Sequence, residues 1–222
     1  FVLSIAMRFP AACGGSAGRD GARKKKECRF MTYEEYEQEA KRRLTEKRFA
    51  HSQCVAACGA ALAEKYGADP EKARLAGILH DIMKDTGEEE QLKIMEQFGI
   101  MLSQAQRHNP KLWHALSGAA YVEYVLGVGD REVVEAIACH TGGKSGMGLL
   151  DKVLFVADYI SADRDYPGVE HMRELAKSSL EEAMVEGIAF TVAEKTGERQ
   201  TLDPQSICAY NEALWALEDG PA

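Results

Sequence analysis

From Thr32 onward the apolar residues recur at helical spacing, and no segment alternates as a half-buried strand would. That pattern restricts the chain to an all-α fold, a single helical bundle without internal repeats. Thr32 and Glu35 form a capping box ahead of a first helix from Tyr33 to Leu44. A second runs from about Phe49 to Tyr66 and stops at Gly67. Asp69 caps a third, with Pro70 at its first position, and the pattern carries it to about Lys84. Further helices are expected over 88–98, 111–126, 130–140, 149–159, 168–176, 179–195 and 204–217. Residues 1–30 break the pattern: a short apolar start, scattered glycines, then the basic run Arg23 to Lys26. Such a segment cannot build a packed element, so 1–30 reads as a disordered leader or a non-native upstream segment. The domain is then 31–222.

Charge and cysteine usage narrow the function. The net charge of −8 gives no broad basic face, so no nucleic-acid partner is expected. No stretch reaches the roughly 20 apolar residues that span a membrane. The six cysteines are scattered rather than framework-like, which fits a reducing cytoplasm. An anionic substrate would need a locally positive site, and bound metal could supply it.

Histidine placement is the strongest functional signal. His51 shares a helical stripe with Val55, Cys58 and Leu62. His80 and Asp81 end the core-like run Leu75, Ile78, Leu79. His114 lies in a stripe with Gly118, Tyr121 and Val125, and His140 with Val133 and Ile137. Asp158 follows Leu150 and Leu154 on its own helix. A single histidine on an apolar face is ordinarily a hydrogen-bonded core residue. Six ionisable side chains on five helices are another matter, because each buried without compensation costs kilocalories and a shared cation removes that cost. These residues are therefore candidate metal ligands, with donors that suit Fe, Mn, Zn or similar ions. The order H…HD…D on helices is the HD-domain signature.

Other groups read as phosphate handling. Lys84 lies one turn beyond His80. Thr141, Gly142 and Gly143 form a flexible turn after His140, followed by Lys144 and Ser145, and backbone N–H groups there could cradle a phosphate. Arg164 sits in a loop ended by Pro167 and Gly168 and joins this set on the strength of the metal site; without that site a surface ion pair with Asp163 or Asp165 would be the plainer reading. Cys54, Cys58 and Cys139 read as packed thiols, and His108 and His171, in polar segments, as non-ligands.

Several segments carry a resemblance to a known family. They are K-R-F-A-H ending at His51, Y-G-A-D-P-E-K-A from Tyr66, and L-H-D-I-M-K-D from Leu79. Next come H-N-P-K-L-W-H-A from His108, C-H-T-G-G from Cys139, and L-L-D-K-V-L-F-V-A-D-Y-I from Leu149. R-D-Y-P-G-V from Arg164 and D-P-Q-S-I-C-A-Y-N from Asp203 complete the set. In this order they resemble the bacterial YqeK family of HD-domain bis(5'-nucleosyl)-tetraphosphatases of the symmetrical type. The resemblance implies a helical fold around two divalent metal ions, iron first, with Mn, Co or Zn as substitutes. It implies hydrolysis of diadenosine tetraphosphate, or related dinucleoside polyphosphates, to two ADP by a hydroxide that the metal pair activates. The implied ligands are His51, His80, Asp81, His114, His140 and Asp158. Implied substrate contacts fall on His51, Lys84, His140, Thr141, Lys144 and Arg164, with Asp81, Lys84 and Arg164 as catalytic groups. The chain departs from the family at Ser161-Ala162, usually Glu-Pro, and at Lys144-Ser145, usually Arg-Pro. Lys keeps the charge but loses the bidentate fork. Rival readings are another HD nucleotidase or nucleotide phosphohydrolase, including a guanosine-tetraphosphate hydrolase, and a nucleotide-sensing module without turnover. A homodimer is left open.

Overall fold

The computed structural model describes residues 31–220, and within them every regular element is helical. The expected leader at 1–30 lies outside the described residues. Eleven α-helices follow in order: α1 (Tyr33–Arg43), α2 (Glu46–Tyr66), α3 (Pro70–Leu79), α4 (Glu88–Gln97), α5 (Gln104–Arg107), α6 (Trp113–Ala120), α7 (Arg131–Cys139), α8 (Leu149–Ile160), α9 (Val169–Leu175), α10 (Leu180–Gly197) and α11 (Pro204–Asp219).

The helix starts follow their capping chemistry. Thr32 and Glu35 close the capping box on α1. Asp69, Asp130 and Asp203 each accept a hydrogen bond from a backbone N–H in the first turn of α3, α7 and α11. Gly67, at φ +82°, turns the chain out of α2.

Two expected helices take a different form. The third ends at Leu79 rather than Lys84, and residues 80–86 continue as tight turns closed by N–H to C=O bonds three residues back, such as Lys84 to Asp81 at 2.7 Å. The tightened winding brings Asp81 and Lys84 to one side, their charged atoms 3.6 Å apart, while Ile82 and Met83 stay buried. The segment expected as one helix over 111–126 divides into a 3-10 turn (Pro110–Leu112), α6 and a π-turn (Tyr121–Val125). The short α5, capped by Ser103 and Gln106, has too little apolar pattern to be visible in sequence.

One continuous core joins α1, α2, α3, α7, α8, α10 and α11 around Val55, Ile78, Leu79, Ile137, Leu154 and Phe155, all nearly fully buried. The tightest approach is α3 on α2: a Cβ at Gly77 would stand 2.6 Å from the Ala56 Cα. This backbone contact sets the distance between the residues that α2 and α3 contribute to the site.

Candidate metal centre

The same local device places His80 and His140. Each follows the last residue of its helix, α3 or α7, and directs Nδ1 to the carbonyl three residues back. His80 donates to Gly77 at 2.7 Å and His140 to Ile137 at 2.8 Å. A carbonyl oxygen only accepts, so Nδ1 carries the proton and Nε2 keeps its lone pair. The two rings meet edge to face, centroids 4.9 Å apart. Burial holds His80 down at about 4, and does the same to His114, so both imidazoles are neutral at neutral pH.

The other candidate ligands converge on this pair. From α2, His51 sets Nε2 2.9 Å from Asp158 Oδ1, and His80 Nε2 lies 3.8 Å from the same oxygen. Asp81 Oδ1 lies 3.2 Å from His114 Nε2 and 3.5 Å from His140 Nε2. Burial alone would raise the carboxyl of Asp81, but His80, His114, His140 and Lys84 around it hold it well below the usual range. Asp158 is lowered likewise: burial opposes, and His51, His80 and Arg164 prevail. For His51, burial pushes down, yet the hydrogen bond and charge of Asp158 leave it raised.

The donor set fits a divalent cation. His80 Nε2 and Asp81 Oδ1 are buried with no hydrogen-bond partner. Unpaired polar groups in such a place are costly, and a cation satisfies both. Ligand atoms of His51, His80 and Asp158 lie within 4.8 Å of one another, as do those of His80, Asp81 and His140. The two groups share His80. His114 stands beside the second group, its Nε2 3.2 Å from that of His140.

Cationic and hydroxyl groups rim the centre. Lys84 Nζ lies 2.9 Å from His114 Nε2, and Thr141 Oγ1 3.0 Å from His140 Nε2. Arg164 does not take Asp163 or Asp165. It donates Nε to the Asp158 backbone carbonyl at 2.8 Å and pairs with that residue's carboxylate. A cavity of about 760 Å³ opens over Lys84, His114, Thr141, Asp158 and Arg164. One wall comes from 86–91 and 109–112, another from 188–206, where Phe190 is 48% exposed beside Tyr166.

Lys144 is not brought to this cavity. Its ammonium lies 2.9 Å from Asp151 and 3.2 Å from Glu135, pinning the turn after His140 to α7 and α8. Cys139 is buried and burial pushes its thiol far up, so it stays protonated and inert. His108 and His171 are exposed. Two residues escaped the sequence reading. Asp163 Oδ2 lies 2.8 Å from His51 Nδ1, although its sequence neighbourhood suggests a partner for Arg164. Arg48, one turn before His51, lines the cavity with its guanidinium 3.8 Å from Asp81. The i, i+3 spacing on α2 is the signal that could have found it.

The chain is similar to known proteins. The HD domain family matches residues 48–163, which include all six candidate ligands and Lys84. The chain is 40% identical over 171 residues to a Bacillus subtilis protein named bis(5'-nucleosyl)-tetraphosphatase, symmetrical, covering 77% of this chain and 91% of that one. A protein of the same name from Halalkalibacterium halodurans is 37% identical over 173 residues, with the same coverage. Among solved structures, an HD superfamily hydrolase of Clostridium acetobutylicum, described as involved in NAD metabolism, superposes with a TM-score of 0.81. It is 32% identical and covers 84% of this chain and 98% of its own. With relatives this similar along most of its length and both compact donor groups inside the segment that the HD domain matches, the chain belongs to the HD-domain family, in its YqeK branch of symmetrical bis(5'-nucleosyl)-tetraphosphatases.

Proposed function

We propose that the chain hydrolyses diadenosine tetraphosphate and related dinucleoside polyphosphates to two nucleoside diphosphates. His51, His80, Asp81, His114, His140 and Asp158 would hold two divalent ions, iron before Mn, Co or Zn. The observation that carries this reading is the pair of compact donor groups sharing His80. The names of the relatives support the substrate class. When bound, the ions supply Lewis acidity and acidify a coordinated water.

The side chains do the rest. Lys84 and Arg164, both facing the cavity, offset charge that develops on the phosphate chain. Asp81, kept ionised by its neighbours, would accept a hydrogen bond from the attacking water and orient it. Thr141 and Gly142, on the cavity wall beside His140, hold the phosphates of one half of the substrate, and the reacting phosphorus is then the adjoining inner one. Lys144 contributes by fixing that turn rather than by touching phosphate. No helix among the described residues is long and apolar enough to cross a membrane. The unpaired Cys54, Cys58, Cys139 and Cys208 support a reducing, cytoplasmic setting.

Chromatography of early-time products from diadenosine tetraphosphate tests the reading. ADP alone is expected. Equimolar AMP and ATP would exclude symmetrical cleavage, and an inert substrate would favour a different HD phosphohydrolase or a binding module.

A further inference from the structure

Half-buried His51 differs from the two buried imidazoles of the compact groups, His80 and His140, in what holds its Nδ1. His80 and His140 donate to backbone carbonyls inside their own helical turns, whereas His51 faces a carboxylate, Asp163 Oδ2 at 2.8 Å, from a residue 112 positions away. The second oxygen of Asp163 accepts from Ser161 Oγ at 2.8 Å, and Ser161 is fully buried. The loop carrying both is fastened from α9. Arg173 donates to the carbonyls of Ile160, Ser161 and Arg164 at 3.0, 2.8 and 2.9 Å. Asp163 is therefore held in place from behind, and its free edge is spent on His51.

We propose that Asp163 is a positioning residue for metal binding: by accepting the Nδ1 proton of His51 it fixes the tautomer that presents Nε2 to the ion held with His80 and Asp158. The physical reasons are two. A carboxylate acceptor locks the ring orientation, which a half-buried imidazole on a long helix would otherwise lose. Its negative charge also adds electron density to the ring and strengthens the Nε2 donor, more than a neutral carbonyl does. The asymmetry has a consequence for the pair of ions. The group of His80, Asp81 and His140 relies on local carbonyls and is independent of Asp163. Only the group containing His51 depends on the 161–164 loop.

The inference rests on the assignment of His51 as a ligand, and the test separates the two. Full-length wild type, His51→Ala, Asp163→Ala, Asp163→Asn, Asp163→Glu and Ser161→Ala are stripped with chelator and titrated with Co²⁺, followed by calorimetry and visible absorption. Asp163→Ala should weaken one of the two binding events about 10- to 100-fold and leave the other unchanged. Asp163→Asn should fall between it and wild type, Asp163→Glu should recover part of the loss, and Ser161→Ala should show a smaller weakening of the same event. A wild-type isotherm and spectrum for Asp163→Ala, with His51→Ala losing an event, overturns the positioning role alone. If His51→Ala also binds as wild type does, the ligand assignment falls with it. Equal weakening of both events with a lowered melting temperature of the stripped protein would make Asp163 merely structural and likewise overturn the proposal.

Discussion

Gly77 and Ala56 bring the backbones of α3 and α2 together with no side chain between them, and His80, three residues on, hydrogen-bonds the Gly77 carbonyl. In Gly77→Ala a new methyl would meet main-chain atoms at 2.6 to 3.0 Å, which cannot rotate aside. Overpacking costs about 1–3 kcal/mol. The better helix propensity of alanine returns about 1 kcal/mol. With main-chain atoms in the way the cost lies at the upper end, strain exceeds that return by about 2 kcal/mol, and the variant should melt roughly 4–8 °C lower. Displaced with its carbonyl acceptor, His80 should also bind metal more weakly. Thermal melts with and without metal measure both effects; an unchanged melting temperature would show that the helices separate freely.

Asp81→Asn and His80→Ala should each lose bound metal and lower turnover at least about 1000-fold, the scale of several kcal/mol of lost Lewis-acid stabilisation. Elemental analysis of the purified variants beside their rates is decisive. Full metal content at wild-type rate in either one would remove it from the centre.

Arg164→Ala should leave metal content intact and reduce kcat/KM about 100-fold, the scale expected when one fixed electrostatic partner of a transition state is removed. Its guanidinium faces the cavity while pairing with Asp158, so its loss strips charge from the phosphate path without removing a ligand. A full rate under limiting substrate would exclude the residue.

Acid should destabilise the metal-free protein through its histidines. His80 and His114 sit at about 4 in the fold, from an ordinary value near 6.5. Between those two pH values the unfolded chain binds more protons, so stability falls as pH drops from about 6.5 toward 4. The loss is on the order of 3 kcal/mol per imidazole at most. His51 is raised and acts in the opposite sense: its contribution is complete below its unfolded value and is lost as pH rises through its folded one. Denaturant unfolding of stripped protein across pH 4 to 8 should show the net decline on the acid side, reduced in His80→Ala. A profile flat from 6.5 to 4 would contradict it.

The helices and the composition of the site were legible because they are local. Thr32 with Glu35, Asp69 with Pro70, and Asp203 with Pro204 carry their own capping chemistry, and His51, His80 and His140 reveal themselves by lying in apolar stripes. The early end of α3 was not legible, since the run from Ala76 to Met83 is buried on both sides of the change from α-helix to tight turns. Lys144 and Arg164 show the other limit. Both follow site residues closely, yet their partners, Asp151 and Glu135 in one case and Asp158 in the other, are settled by how α7, α8 and the loops pack. Asp163 was masked by its neighbour: next to an arginine, a carboxylate reads as half of an ion pair, and only the tertiary fold puts it on a histidine from α2.

His80 and His140 each stand at the carboxyl end of a helix. Backbone dipoles of α3 and α7 therefore point their negative poles at the same small volume. That field favours cations before a single carboxylate is counted, which lets the centre attract metal with only two aspartates. It also repels a polyphosphate, and the cations that would offset this repulsion on the proposed substrate path are Lys84, Arg164 and Arg48, which line the cavity. The polarity of two helices thus divides the pocket into a floor for positive charge and a rim for negative charge. Salt should accordingly weaken capture of the substrate far more than retention of the buried ions.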